Sequence, residues 1–181
     1  MLLHKGTKAI ETERLNLRKY KLTDAEEIFL HWTSDEEIRW EFHKTAEETQ
    51  HELKKWIKDY DRIDFYEWGI ELKENRQIIG AIAAIQCNDK LLSCELVYNI
   101  SRYYRRQNLM TEAVKAVISF LFSEVGFNRI EARHDIDNPA SGRVMEKAGM
   151  KFEGILRQNC LRKDGTFGDL KVFAILKSDF K

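Results

Sequence analysis

Two arginines stand immediately before a helical pattern in the stretch YYRRQNLMTEAVKAVISFLF, residues 103–122. A helix start offers free backbone N–H groups and the positive end of the helix dipole, so Arg105 and Arg106 there make a site for an anion such as phosphate. The segment YYRRQNLM contains no glycine, the residue that lets phosphate oxygens close on backbone amides. A second candidate is Glu95, in the strand-like run SCELVYNI. Desolvation on a partly buried strand raises a carboxylate pKa toward the range of a general base, and a cross-strand lysine or arginine partner would account for the residue equally well. Asn138 and Ser141, in NPAS, place hydrogen-bonding side chains at another helix start, where local capping alone would also select them.

Other chemistries are poorly supplied. His43 and His51 flank a helix start without HExxH spacing and His134 lies on a strand beside Asp135, so no metal is expected. Cys87, Cys94 and Cys160 form no CxxC pair, are odd in number and have no histidine neighbour in sequence. That excludes a disulfide framework and gives no paired base for a cysteine acyl-enzyme, and it points to a reducing, cytoplasmic location. The chain has 30 Lys and Arg against 30 Asp and Glu, so its net charge implies neither nucleic acid nor an anionic membrane as partner. Its longest apolar run, IIGAIAAI, is far too short to span a bilayer.

These residues need elements to position them, and the patterning supplies one domain over residues 1–181. RLNLRKY alternates as a half-buried strand, followed by a helix capped at Thr23. TAEETQHELKKWIKDY carries Leu53, Trp56, Ile57 and Tyr60 at helical spacing behind a capping box of Thr45 and Glu48. FYEWGIEL, QIIGAIAAIQC and SCELVYNI read as an antiparallel meander joined by Asn- and Asp-containing turns. A helix from about Leu109 ends near Gly126, NRIEARHD is a strand, and NPASGRVMEKAG is a helix stopped by Gly149. KFEGILRQNCLR and FGDLKVFAIL close the chain as a hairpin around a KDG turn. The expected order is β-α-α-β-β-β-α-β-α-β-β.

This order resembles the GNAT family of acetyl-CoA-dependent N-acetyltransferases, and within it the RimJ/RimL-like branch of ribosomal-protein N-terminal acetyltransferases. The likeness is carried by TERLNLRKYKLTDAEEIF, by TEAVKAVISFLFSEVGFNRIEARHDIDNPASGRVMEKAGMKFEGILR and by KDGTFGDLKVFAIL. It implies an α/β fold, a twisted, mostly antiparallel sheet flanked by helices. The fourth and fifth strands, SCELVYNI and NRIEARHD, would splay apart around acetyl-CoA.

On the same resemblance, pantetheine pairs with backbone near Tyr98, Asn99 and Ile100. The pyrophosphate sits on a loop of pattern Arg/Gln-x-x-Gly-x-Gly/Ala, here Arg105, Arg106, Gln107, Asn108, Leu109 and Met110 with Thr111 behind it. The family's two small positions are therefore Asn108 and Met110. Asn is the residue most tolerant of left-handed backbone after glycine, and the unbranched Met side chain can turn into the core. Glu95 stands where the histone acetyltransferase branch carries its base. Met145 replaces a tyrosine that many relatives use as acid, and Cys160 replaces a carboxylate of the RimL-like branch. Ser141 then remains as the partner of the departing thiolate, and Asn138 as a ligand of the pantetheine arm.

Transfer of an acetyl group from a thioester to an amine needs a neutral amine, a stabilised developing oxyanion and a proton for the thiolate, and no metal. The implied activity is direct transfer to a primary amine, either a protein N-terminus or a small amine. SDEEIRWEF, with Trp40 and Phe42, would favour a cationic acceptor if it lines the acceptor cleft. Four departures from family habit, at residues 108, 110, 145 and 160, motivate the alternative of a CoA-binding or interaction module without turnover. A homodimer through the closing hairpin is left open by the sequence.

Overall fold

Alternating and helical periodicities place the elements near their expected positions, and the described strands form one eight-stranded sheet. The computed structural model describes residues 1–33 and 43–180. Strands β1 (Ile10–Glu11) and β2 (Leu15–Arg18) lead into a helical segment, α1 (Ala25–Ile28), which continues as a π turn over Phe29–Thr33. Then come α2 (Ala46–Asp59), β3 (Tyr66–Leu72), β4 (Ile78–Asn88), β5 (Ser93–Ile100) and α3 (Leu109–Phe120). β6 (Arg129–Asp135), α4 (Pro139–Lys147), β7 (Lys151–Leu161) and β8 (Phe167–Leu176) complete it.

The strand order is β1-β2-β3-β4-β5-β6-β8-β7, antiparallel throughout except for β5 beside β6. Every expected strand is present. The two-residue β1 is an addition, so the strands expected fourth and fifth are β5 and β6. SDEEIRWEF, including Trp40 and Phe42, lies outside the described residues.

Local chemistry explains most boundaries. The Thr45 hydroxyl accepts the Glu48 amide at 3.2 Å and so caps α2, while the Glu48 carboxylate takes the Lys44 amide at 2.7 Å, one residue earlier than a capping box requires. Gly126 and Gly149 end their helical segments with φ of 91° and 89°. Thr23 does not cap the first helix. Asp24 takes over, accepting the Lys21 amide at 2.7 Å while Arg18 grips its two oxygens, because a buried carboxylate with an arginine partner outcompetes an exposed hydroxyl.

The sheet separates two apolar layers. On one face Leu15, Trp68, Ile82 and Leu96 pack with Ala113, Val117 and Ile118 of α3 and Met145 of α4. On the other, Ile78 and Ala81 of β4 pack with Ile28 of α1, Trp32 and Leu53 of α2. The α3 and α4 face and the α1 and α2 face therefore approach the same central strands from opposite sides.

Candidate active site

The parallel pair opens part-way along its length. β5 and β6 run in register from Ser93 beside Arg129 to Leu96 beside Ala132, and the pairing stops there. Beyond that point Val97 to Ile100 stay with β4, and Arg133 to Asp135 stay with β8. On the α3 and α4 side this divergence enters a cleft of about 510 Å³. Tyr98, Asn99 and Ile100 of β5, the loop from Arg105 and one face of α4 as far as Lys147 line it. The Tyr98 phenol spans the opening and donates to the Ser141 carbonyl at 3.0 Å. Burial pushes that phenol well above its usual pKa, so it is a proton-holding donor across the physiological range.

The loop before α3 takes the left-handed backbone at two residues that are not glycine, Arg106 with φ 65° and Asn108 with φ 60°. Asn tolerates this region, whereas Arg106 sits there at a steric cost. Met110 turns inward and is 5% exposed within the core, and Leu109 and Thr111 are also buried, so these three offer the cleft mainly backbone. Gln107 does not line the cleft; its carbonyl instead accepts Arg14 Nη1 at 3.1 Å. Arg14 is held in turn by Glu112, whose carboxylate also takes the Thr12 hydroxyl at 2.6 Å and the Arg14 amide at 2.9 Å. Burial would raise the Glu112 pKa, but these bonds hold it below the usual range. The start of β2 thus clamps the first turn of α3.

On the opposite wall, Asn138 caps α4. Its Oδ1 accepts the Ser141 amide at 3.4 Å and its Nδ2 donates to the Ser141 hydroxyl at 3.1 Å. Arg143 and Lys147 line the same cleft one helical turn apart, which the i, i+4 spacing requires of residues on one helix face. The Lys147 ammonium donates to Asn108 Oδ1 at 2.8 Å across the mouth. Neither α4 cation was expected from the sequence, although a stripe of Ala140, Val144 and Lys147 at helical spacing is legible there. Met145 is 1% exposed and belongs to the core.

Glu95 lies elsewhere. Register sets it beside Ile85 and Glu131, on the sheet face opposite Cys94 and Leu96, so it points away from α3 and does not line the cleft. It is 9% exposed, and burial pushes its carboxyl up, against the pull of Arg133 Nε at 3.6 Å and with the push of Glu131. Arg133 is committed chiefly to Glu131, at 2.7 and 3.2 Å, which leaves Glu95 a loose partner. Glu95 and the Ser141 group therefore approach the opening from its two faces, one on each side of the sheet.

Cys160, where a carboxylate was noted as missing, touches one. Its thiol lies 3.4 Å from Asp135 Oδ2, whose side chain is 1% exposed and gripped twice by Arg162 at 3.0 Å. Asp135 also accepts the Asp137 amide at 2.8 Å, so it closes the end of β6 and fixes the approach to α4. His43 bonds Thr49 and His134 bonds the Asp135 carbonyl, both as packing residues.

The donor set fits a ligand with phosphates at one end and amides along its arm. Arg105, Arg106, Arg143, Lys147 and the α3 amides gather at one end, while the β5 edge that β6 leaves unpaired runs along the cleft at Asn99, whose buried Oδ1 has no hydrogen-bond partner among the described residues. Acetyl-CoA has that arrangement of groups.

Residues 14–151 match the family model described as an acetyltransferase (GNAT) domain. The chain is 33% identical over 171 residues to the uncharacterised N-acetyltransferase YoaA of Bacillus subtilis, covering 93% of this chain and 96% of that protein. Two solved structures share the fold. Ribosomal-protein-S5-alanine acetyltransferase from Vibrio fischeri matches with TM-score 0.82 at 20% identity, over 96% of this chain and 99% of that one. A chimera of the spermidine N-acetyltransferase SpeG from Vibrio cholerae matches with TM-score 0.78 at 20% identity, over 93% and 98%. With its open β5 and β6 pair, its cation-lined cleft and this family match, the chain belongs to the GNAT family of N-acetyltransferases and is an acetyltransferase.

Proposed function

We propose that residues 1–181 act as one domain that passes acetyl directly to an unhindered primary amine, in a ternary complex and without an acyl-enzyme. The divergence of β5 from β6 after Leu96 carries this reading, because it gives two substrates access to one point from opposite faces of the sheet. Acetyl-CoA supplies the activated acetyl group as a thioester, and its conversion to an amide releases the free thiol. Arg105 and Arg106 bind its phosphates together with the first amides of α3, and the free edge of Tyr98, Asn99 and Ile100 aligns its amide arm.

Glu95 takes the proton that the amine must lose, through water; its raised pKa and loose ion pair suit a base better than a structural partner. The Ser141 hydroxyl, oriented by Asn138 Nδ2, returns a proton to the sulfur side. Both roles follow the family resemblance and remain our assignment.

The acceptor we favour is a protein N-terminus of the RimJ/RimL kind. Val97 on the Glu95 face is 37% exposed beside the opening, an apolar step on which a first side chain can rest. Burial pushes the Cys87 thiol up to about 11, so it stays protonated and unreactive, which suits a reducing, cytoplasmic setting. Free-thiol release from acetyl-CoA is measured with a decapeptide starting in alanine, one starting in serine, and spermidine. Turnover with the peptides and not spermidine supports the N-terminal reading, the reverse replaces it with a small-amine one, and release with none of them rejects both acceptors.

A further inference from the structure

One of the two residues that stand at the small positions of the phosphate loop has a distant partner. Asn108 is the N-cap of α3 but makes no side-chain cap there. Its Oδ1 is used instead to hold the Lys147 ammonium, 39 residues away on the last turn of α4, at 2.8 Å. Both residues line the cleft, as do Arg106 on the loop and Arg143 one turn before Lys147. A glycine at 108 would offer the same backbone and no atom to hold the lysine.

We propose that Asn108 is a positioning residue that presents the Lys147 ammonium to the phosphates of the acetyl donor, so that the asparagine replaces lost amide access with a fixed cation. The inference rests on the acetyl-CoA reading above. Two physical facts make it coherent. A lysine on a four-carbon stem loses substantial rotamer freedom when it binds, and a preformed bond to Asn108 removes part of that loss before the ligand arrives. An amide oxygen is neutral, so it orients the ammonium without cancelling the charge that attracts phosphate, as an Asp at 108 would.

The sign of one substitution separates this from the simpler idea that Asn108 is a defect. Asn108→Gly suits φ of 60° and should fold normally, which thermal melting checks. If the side chain merely blocks the amides, the variant binds acetyl-CoA more tightly. If it positions Lys147, the variant binds roughly fivefold to tenfold more weakly, Lys147→Met weakens binding by a similar factor, and the double variant is no weaker than Lys147→Met alone. Lys147→Met should also flatten the dependence of Kd on salt, and neither change should alter binding of S-acetylpantetheine, which lacks the phosphates. Lys147→Arg should restore part of the affinity. Calorimetric titration reads all of these. Tighter or unchanged binding by Asn108→Gly, or an unchanged Kd for Lys147→Met, overturns the inference while leaving the acetyl-CoA reading intact. No binding of acetyl-CoA by the wild-type protein overturns both.

Discussion

Tyr98 on β5 and Ser141 on α4 are joined across the mouth of the sheet opening by a phenol-to-carbonyl hydrogen bond of 3.0 Å. It links the two walls of the cleft at the point where β6 no longer does. Tyr98→Phe keeps the ring and removes the donor, so it should lower stability by about 1 kcal/mol and weaken acetyl-CoA binding by up to about fivefold as α4 loses its register. Melting and titration of the same sample test this. A variant with wild-type Kd would mean that α4 is held by its core residues alone.

Glu95 is predicted to trade stability for rate. Its folded-state pKa is raised by burial, so the native state holds its proton more tightly than the unfolded chain and loses stability as pH rises through that raised pKa. Glu95→Gln should therefore melt higher than wild type at pH 7, with the gap closing near pH 4, where the wild-type carboxyl is protonated. The same variant should lose tenfold or more in kcat/KM, along with the acid limb of the pH profile. A slower variant that keeps the acid limb would assign that limb to another group.

The cap of α2 sets the layer beneath the Glu95 face, because α2 buries Leu53 against Ile78 and Ala81 of β4. Thr45→Ala removes the acceptor of the Glu48 amide and should cost about 1 kcal/mol, or 2–4 °C in Tm, with little effect on acetyl-CoA binding.

Gly168 guards the buried carboxylate of Asp135. A Cβ there would come within 2.7 Å of Arg162 Nε, 2.8 Å of Asp135 Oδ2 and 2.8 Å of Cys160 Sγ. Gly168→Ala should destabilise by about 1–3 kcal/mol, seen as a lower urea midpoint at similar slope. A neutral result would show that Arg162 can swing aside at no cost.

Most of what depends on neighbours in sequence was legible in the sequence. Alternation gave β3, β4 and β5 to within a residue, Thr45 announced α2, and Gly126 and Gly149 announced where helical segments end. The first helix was misread at its start because Arg18, six residues before Asp24, selects the carboxylate over Thr23. The phosphate loop was legible as an anion site, but its working parts were not. Lys147 meets Asn108 across 39 residues, Tyr98 meets Ser141 across 43, and Arg14 meets Glu112 across 98. No local pattern encodes such pairs; they exist only once β5, α3 and α4 have packed. The inward turn of Met110 belongs with them, because only the finished core decides where a flexible thioether goes.

The most direct test of acetyl transfer through this opening varies acetyl-CoA and the best amine acceptor together and follows initial rates of thiol release. Direct transfer in a ternary complex predicts double-reciprocal lines that intersect, with no acetyl group on the protein by mass spectrometry. Parallel lines with an acetylated cysteine would contradict it and move the chemistry onto an acyl-enzyme.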